Sequence, residues 1–339
     1  MKEIFYIGSF PPPYGGATIK NMVLYDELVK RFDISKFDTS AHKNGFTMNL
    51  KLLSFLFKNK NKKGIVCIAS KSFFKLTKVI SLLDSSILKN ISVFILGGIF
   101  DTYVKEGNEK AEVYNKYKVI YVESARMKQN LDSMGFSNIR VIPNFRAMPS
   151  VREFIKLPCR NSLKCAFISK ICLDKGVDVI LEADRILKSK GIDYTVDFFG
   201  HVDTGFEEYF LDSIKNSATL FYKGILKYEN ENTITDVLKG YDVLLFPTKH
   251  SGEGIPGILV ESKIVGVAPV VSLWNYNDEI VNNGEDGIVM KNNTPQVLAD
   301  AIIKLIGNWE YLNSLRYNSY LSGEKYLITN YVEEIIENL

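Results

Sequence analysis

The chain has 339 residues, 46% of them hydrophobic, with 42 Lys and Arg against 39 Asp and Glu for a formal net charge of +3. That length accommodates two domains of roughly 150 residues each, and the composition is that of an ordinary globular protein. No run approaches the ~20 apolar residues that a membrane-spanning helix needs, which excludes an integral helical membrane protein.

The near-neutral total conceals a division. Residues 1–150 hold 23 Lys and Arg against 12 Asp and Glu, whereas residues 151–339 hold 19 against 27. A basic first half and an acidic second half imply two domains, with an acidic partner for the first. Cys67, Cys159, Cys165 and Cys172 form no C-x-x-C pair and are expected as reduced thiols. Residues 1–8 read as a strand and not as a leader, because Gly8 and the prolines at 11–13 cut the apolar run short. The expected address is the cytoplasm.

Residues 4–9 open the chain as a strand. Pro11-Pro12-Pro13-Tyr14-Gly15-Gly16 then turns into an amphipathic helix expected over residues 17–32. Gly15 and Gly16 depart from the G-x-G-x-x-G dinucleotide fingerprint, so a nicotinamide cofactor has no support. A glycine pair before a helix is either a plain turn or a place where a phosphate approaches the backbone. Further strands are expected at residues 65–69, 91–96, 119–122 and 140–142, separated by helical stretches. Such alternation implies a doubly wound parallel sheet. Gly97 and Gly98 follow the 91–96 strand, at the strand end where α/β sheets bind ligands. Asp101 beyond them serves either as a helix cap or as a polar group towards an acceptor.

Residues 145–161 read as an interdomain linker. The second domain restarts with a strand at 163–169, then Lys170-Ile171-Cys172-Leu173-Asp174-Lys175-Gly176 and a helix to about residue 190. Two loop lysines so spaced are either simply solvated or suited to neutralising a diphosphate. Residues 195–200 and 220–224 are two further strand-then-glycine units, with His201 after Gly200. Residues 274–286 read as a loop, and helices fill the chain from 295. No internal repeat is evident.

The stretch 241–272 organises the rest. Asp242-Val243-Leu244-Leu245-Phe246-Pro247 is a buried parallel strand by its apolar run. A polar loop containing Glu253 follows, then a helix over 256–264 with Pro256 at its first position and Gly266 at its exit. A strand over 268–273 closes the unit. Free amides from Gly254 through Ile255, Gly257, Ile258 and Leu259 would form an anion site at the helix start, with Glu253 just before it and Glu261 about 7 Å further along the axis. Two carboxylates flanking a phosphate-sized site suit a sugar nucleotide. The same spacing equally suits a helix-dipole acid and a solvated glutamate. His250 has no second ligand at metal spacing, so no metal site is expected.

Glu253-Gly-Ile-Pro-Gly-Ile-Leu-Val-Glu261 resembles the E-x7-E signature of the retaining glycosyltransferases of family 4, which have the GT-B fold. Residues 241–247 resemble the family's strand before that signature, and residues 266–271 its "G-v-P-v-v" strand, with the proline displaced to Pro269. Val141-Ile-Pro-Asn144 resembles "v-I-P-N-G", with Phe145 in place of the glycine. Residues 169–176 resemble "G-R-l-x-x-E-K-G", with Ser169 for the glycine and Lys170 for the arginine, while Lys175 and Gly176 are retained. The family's G-x-G is altered to Gly200-His201-Val202, and its cleft histidine is replaced by Gly97-Gly98-Ile99-Phe100-Asp101.

The resemblance implies an α/β fold of two Rossmann-like domains facing across a cleft: residues 1–150 on the acceptor side, residues 151–320 holding the donor, and residues 321–339 returning to the first domain. It implies Glu253, Lys170 and Lys175 as catalytic residues. Gly15, Gly16, Gly200, Gly254, Ile255, Gly257, Ile258 and Glu261 would hold the donor, with Gly98 and Asp101 on the acceptor side. The donor would be a nucleoside-diphosphate sugar, with no cofactor and no metal. A nucleotide-sugar epimerase or hydrolase of the same fold, or a catalytically silent sugar-binding subunit, are the other readings.

The segment from Lys43 to Lys78 stands apart. Residues 39–83 contain no acidic residue and nine lysines, interleaved with Leu52, Leu53, Phe55, Leu56, Phe57, Phe73 and Phe74. This pattern suits an anionic membrane surface, or equally a solvated basic face over ordinary core helices. Nucleic acid is not an expected partner, since the pattern supplies no recognition element. A lipid-linked saccharide acceptor at the inner face of the cell membrane follows as the expectation.

Overall fold

The apolar runs become two parallel sheets, each of six strands. A computed structural model describes residues 1–41, 45–107, 109–230 and 232–339. His42 and Lys43, the latter opening the basic segment, lie outside the described residues. The chain divides into one unit of residues 1–147, 252–255 and 327–339, and another of residues 148–251 and 256–326.

The first unit alternates β1 (Lys2–Gly8), α1 (Gly16–Leu28), β2 (Phe32–Asp38), α2 (Gly45–Asn59), β3 (Lys63–Ala69), α3 (Ser70–Asp84), β4 (Ile91–Leu96), α4 (Phe100–Glu106), α5 (Ala111–Tyr114), β5 (Val119–Val122), α6 (Ala125–Ser133) and β6 (Ile139–Val141). Its strand order is β2-β1-β3-β4-β5-β6. β1 sits between β2 and β3, with Ile4 opposite Ile34 and Lys63. Strands β4 and β5 are buried throughout, as apolar runs covered on both faces must be. The rings of Phe94 and Tyr121 stack at 4.5 Å across them.

The second unit runs β7 (Leu163–Ile168), α7 (Val177–Ser189), β8 (Tyr194–Phe199), α8 (Glu207–Ile214), β9 (Leu220–Tyr222), α9 (Thr233–Leu238), β10 (Val243–Phe246), α10 (Gly257–Ile264), β11 (Ala268–Ser272), α11 (Asn277–Ile280), β12 (Ile288–Met290), α12 (Pro295–Ile306) and α13 (Trp309–Gly323). Its order is β12-β11-β10-β7-β8-β9. Leu163, Phe167, Val243 and Val270 from the strands meet Ile180 of α7 and Leu298 and Ile302 of α12 in one core. Each such side chain contributes about 1.5–3 kcal/mol on burial. The last helix, α14 (Val332–Glu337), belongs to the first unit. There Ser92 donates to the Asn338 carbonyl at 2.6 Å, and Arg31 pairs with Glu333 at 2.6 Å.

Four sequence expectations need correction. The helix expected over 17–32 ends at Leu28, and Phe32–Asp38 is an edge strand whose half-exposed residues weakened its apolar signal. Pro256 is the cap before α10 and not its first residue, with an extended ψ of 127°. The 274–286 loop contains the short helix α11, and β12 follows it as a second edge strand. Phe145, placed in the linker, is fully buried, with the Lys20 ammonium 5.0 Å from its ring centre. Its packing accounts for a large side chain where a glycine was the pattern.

Candidate functional site

In the second unit, strand order reverses between β7 and β10. Loops leaving the carboxyl ends of such a pair open the crevice where α/β sheets bind ligands. The segment after β7 runs beside the one after β8: Ser169 donates to the Phe199 carbonyl at 3.1 Å and Ile171 to that of His201 at 2.9 Å. Gly200 is tied into this shelf, its amide donating to the Gly224 carbonyl at 3.0 Å and its carbonyl accepting from the Tyr222 hydroxyl at 3.0 Å.

Lys170 projects from the shelf, half exposed, with its ammonium 2.7 Å from the Asp203 carboxylate. Their hydrogen bond raises the lysine's pKa and lowers the aspartate's. Lys175 ends a single 3-10 turn over Leu173–Lys175 and is half-buried, with its ammonium 5.7 Å from the centre of the Phe246 ring. Gly176 closes that turn at φ 72°, and a Cβ there would come within 1.9 Å of the Pro247 carbonyl oxygen. Only glycine permits both the left-handed backbone and this approach of the two loops.

The loop after β10 is fastened to its neighbours. Lys249 donates its amide to the Asp174 carbonyl at 2.8 Å and pairs with Asp178 at 2.8 Å. Trp274 donates to the His250 carbonyl at 2.9 Å, and Asn275 to that of Ser251 at 2.9 Å. Beyond it, α10 begins with Gly257 and Ile258, whose amides have no intrahelical acceptor. Glu261 is buried one turn further on. Lys263 is fully buried too and pairs with Asp286 at 2.7 Å, and burial holds its pKa down at about 8.

Glu253, Gly254 and Ile255 belong to the first unit, at the carboxyl ends of its strands. A Cβ on Gly98 would come within 1.8 Å of the Glu253 carbonyl oxygen, and one on Gly254 within 2.7 Å of Glu123 Oε2. The Gly98 amide donates to the Gly252 carbonyl at 3.3 Å. Backbone therefore lies directly on backbone at Gly98, where glycine is required, while at Gly254 a Cβ would crowd the Glu123 carboxylate. The amide of Ile255, expected as a free donor, is engaged: it donates to Glu123 Oε2 at 3.1 Å. The anion at that amide is the protein's own carboxylate. Glu253 itself is half-buried.

The sequence reading missed the residues that hold this loop. Glu123, immediately after β5, pairs with Lys20 at 2.6 Å, both side chains buried. Asn144, after β6, donates to the Ile255 carbonyl at 2.8 Å and accepts from Arg146 at 3.0 Å. A signal was available for each of the charged pair. Glu123 ends an apolar strand, where ligand-side residues sit, and Lys20 shares a helix face with Leu24 and Leu28 at i, i+4, i+8.

Elsewhere in this unit, Gly15 and Gly16 have nothing within 4 Å of where a Cβ would stand, so no packing requires glycine there. Asp101 lies buried in the first turn of α4 and accepts from Asn130 at 2.7 Å, instead of capping the helix. In the basic segment Lys51, Lys58, Lys60, Lys71, Lys75 and Lys78 are exposed, while Lys62 pairs with Glu3 and Lys78 with Glu109. Of its apolar residues Leu56 and Phe73 are core, whereas Leu50 and Phe57 are half exposed. Among the described residues no three His, Cys, Asp or Glu side chains group as a metal site, and no helix is long and apolar enough to cross a membrane.

Comparison with known proteins places these loops in a family context. The family model for glycosyl transferases group 1 matches residues 157–322. An uncharacterized glycosyltransferase of Methanocaldococcus jannaschii is 29% identical over 172 residues, covering 48% of this chain and 40% of that protein. The capsular polysaccharide biosynthesis glycosyltransferase CapM of Staphylococcus aureus is 23% identical over 181 residues, covering 51% and 44%. The chain thus spans less than half the length of these two relatives. In fold it is similar to Anabaena HepE, solved in complex with UDP-glucose, with a TM-score of 0.75, 12% identity and 100% of each chain covered. Residues 157–322 thus match a glycosyl transferases group 1 domain, and the chain has an α/β fold of two parallel-sheet, Rossmann-like units of the GT-B type.

Proposed function

We propose that this protein is a retaining, family 4 glycosyltransferase that moves a sugar from a nucleoside diphosphate to a hydroxyl of a lipid-linked saccharide in surface polysaccharide synthesis. The observation that carries the reading is the switch point of the second unit. There, Lys170 and Lys175 leave β7, and the open amides that start α10 follow the adjacent β10. Two cations and a helix N-terminus suit a departing diphosphate. The bond from the sugar's anomeric carbon to the phosphate oxygen breaks, and the acceptor oxygen bonds to that carbon on the same face. The acceptor's proton passes to the leaving phosphate.

In this scheme Lys170 exchanges the Asp203 carboxylate for phosphate, Glu261 holds the ribose, and Glu253 orients the sugar. Glu123 and Asn144 act through the backbone, fixing the loop that bears Glu253. In the first unit Gly15 and Gly16 are the candidate donor residues, and Gly98 and Asp101 the acceptor-side ones. No divalent metal is needed, because lysines and amides fill that role.

HepE binds UDP-glucose and CapM works in capsule synthesis, which makes UDP-glucose the first donor to test and a surface saccharide the first acceptor. A panel of nucleotide sugars is incubated with and without lipid-linked acceptor, and free nucleoside diphosphate is measured. Acceptor-dependent release supports the transferase. Acceptor-independent release or epimerised donor marks the hydrolase or epimerase, and binding without turnover marks a silent subunit. The exposed lysines of α2 and α3, with Leu50 and Phe57, further support peripheral attachment at the cytoplasmic membrane face. Flotation with anionic but not neutral vesicles, lost at high salt, is the expected result.

A further inference from the structure

The first unit contains a cavity of about 760 Å³ that the donor scheme does not use. Ile7 and Ile68, at the ends of β1 and β3, line it together with Leu52 and Leu53 of α2 and Leu76 and Val79 of α3. Those strands are the pair at which this sheet's order reverses, so the cavity occupies the ligand position of an open α/β sheet. Its volume lies in the range of small-molecule sites, roughly 300–1,000 Å³. Its wall is mainly apolar, with Ser9, Thr39, Asn49 and Ser72 set among the apolar side chains, and Lys75 and Lys78 line it as well. Lys78 is engaged by Glu109 at 3.0 Å. Lys75 is exposed, and among the described residues no carboxylate pairs with it. An apolar chamber edged by a lysine, in a stretch without a single acidic residue from 39 to 83, complements one kind of molecule: a hydrocarbon chain bearing an anionic head.

We propose that this cavity receives the hydrocarbon chain of the acceptor, with Lys75 meeting the phosphate that joins chain to saccharide. The inference rests on the glycosyltransferase reading and adds where the acceptor's lipid goes. Uptake of one chain into the protein differs from lying on a bilayer, and the two are separable.

The test is calorimetry of the full chain with dodecyl phosphate, below its micelle concentration, and with hexyl phosphate. Each methylene moved from water into an apolar site changes affinity about fourfold. Hexyl phosphate should therefore bind at least a hundredfold more weakly. Ser72→Trp, at an exposed residue lining the cavity, should weaken dodecyl phosphate at least tenfold by filling the space. Lys75→Glu should weaken it about tenfold at low salt. UDP affinity should be unchanged in both variants, and an unchanged circular dichroism spectrum and urea midpoint report that they fold. Equal affinity for the two chain lengths, or for wild type and Ser72→Trp, overturns the proposal. Attachment to anionic vesicles with no uptake of monomeric dodecyl phosphate overturns it as well. A protein that binds UDP but no amphiphile loses this inference alone. One that binds the amphiphile but no nucleoside diphosphate loses the transferase reading instead.

Discussion

Glu123 and Ile255 meet across 132 residues of sequence, the carboxylate Oε2 accepting the isoleucine amide at 3.1 Å. The other oxygen holds the buried Lys20 ammonium at 2.6 Å. One carboxylate therefore fixes both a helix of the first unit and the loop that bears Glu253. Removing one partner of a buried pair leaves the other charge uncompensated, at a cost of about 3–5 kcal/mol. Glu123→Gln should lose stability on that scale in urea unfolding. Glu123→Gln with Lys20→Met should lose less than the two single variants summed. Strict additivity would show that the pair is not coupled.

Glu253→Ala should lower turnover at least a hundredfold with an unchanged circular dichroism spectrum. Loss of one preorganised polar contact at a reacting centre costs about 10² to 10³ in rate. A folded variant with near-wild-type turnover would remove Glu253 from the mechanism.

Lys170→Ala and Lys175→Ala should each weaken UDP or GDP binding by roughly 1.5–3 kcal/mol, the worth of a charge-assisted hydrogen bond. Asp203→Asn should act in the opposite direction, because it frees Lys170 from a competing carboxylate. Glu261→Ala should weaken binding through the ribose. Calorimetry on the four variants decides, and unchanged affinity in both lysine variants would mean that the loop faces only solvent.

Stability should depend on pH through Lys263. Burial lowers its pKa from 10.5 to about 8, against the opposing pull of Asp286. The folded state then gives up this proton near pH 8, while the unfolded chain keeps it to about 10.5. Between those values the unfolded state binds more protons, so stability rises with pH. The urea midpoint of wild type should climb relative to Lys263→Met from pH 8 to pH 10. A relative fall would show that the ammonium is not held low.

Activity should survive EDTA. Lys170, Lys175 and the open amides of α10 supply the positive charge that a divalent ion would otherwise bring to the diphosphate. Complete loss in chelator, restored by magnesium or manganese, would replace that scheme with a metal-dependent one.

The two-sheet architecture was legible in the sequence because buried parallel strands are continuous apolar runs. Val243–Phe246 and Ile91–Leu96 announce themselves without tertiary information. The edge strand Phe32–Asp38 was not legible, since most of its residues are half exposed and its composition follows suit, and Ile288–Met290, though apolar, is only three residues long. Local chemistry also located α10, with its start one residue early at Pro256, and the lysine-bearing loop after β7, because turn and cap residues act over a few positions. What no local rule supplies is the partner of a buried charge. Lys20 and Glu123 lie 103 residues apart, and the local signal that each carries names no partner. Only the folded sheet, by bringing the end of β5 against α1, makes them an ion pair and turns Glu123 towards the Ile255 amide. The same holds for the apolar cavity between α2 and α3. Sequence set the lysines and leucines in that stretch, but which of them face a common void was decided by how two helices seat on the ends of β1 and β3.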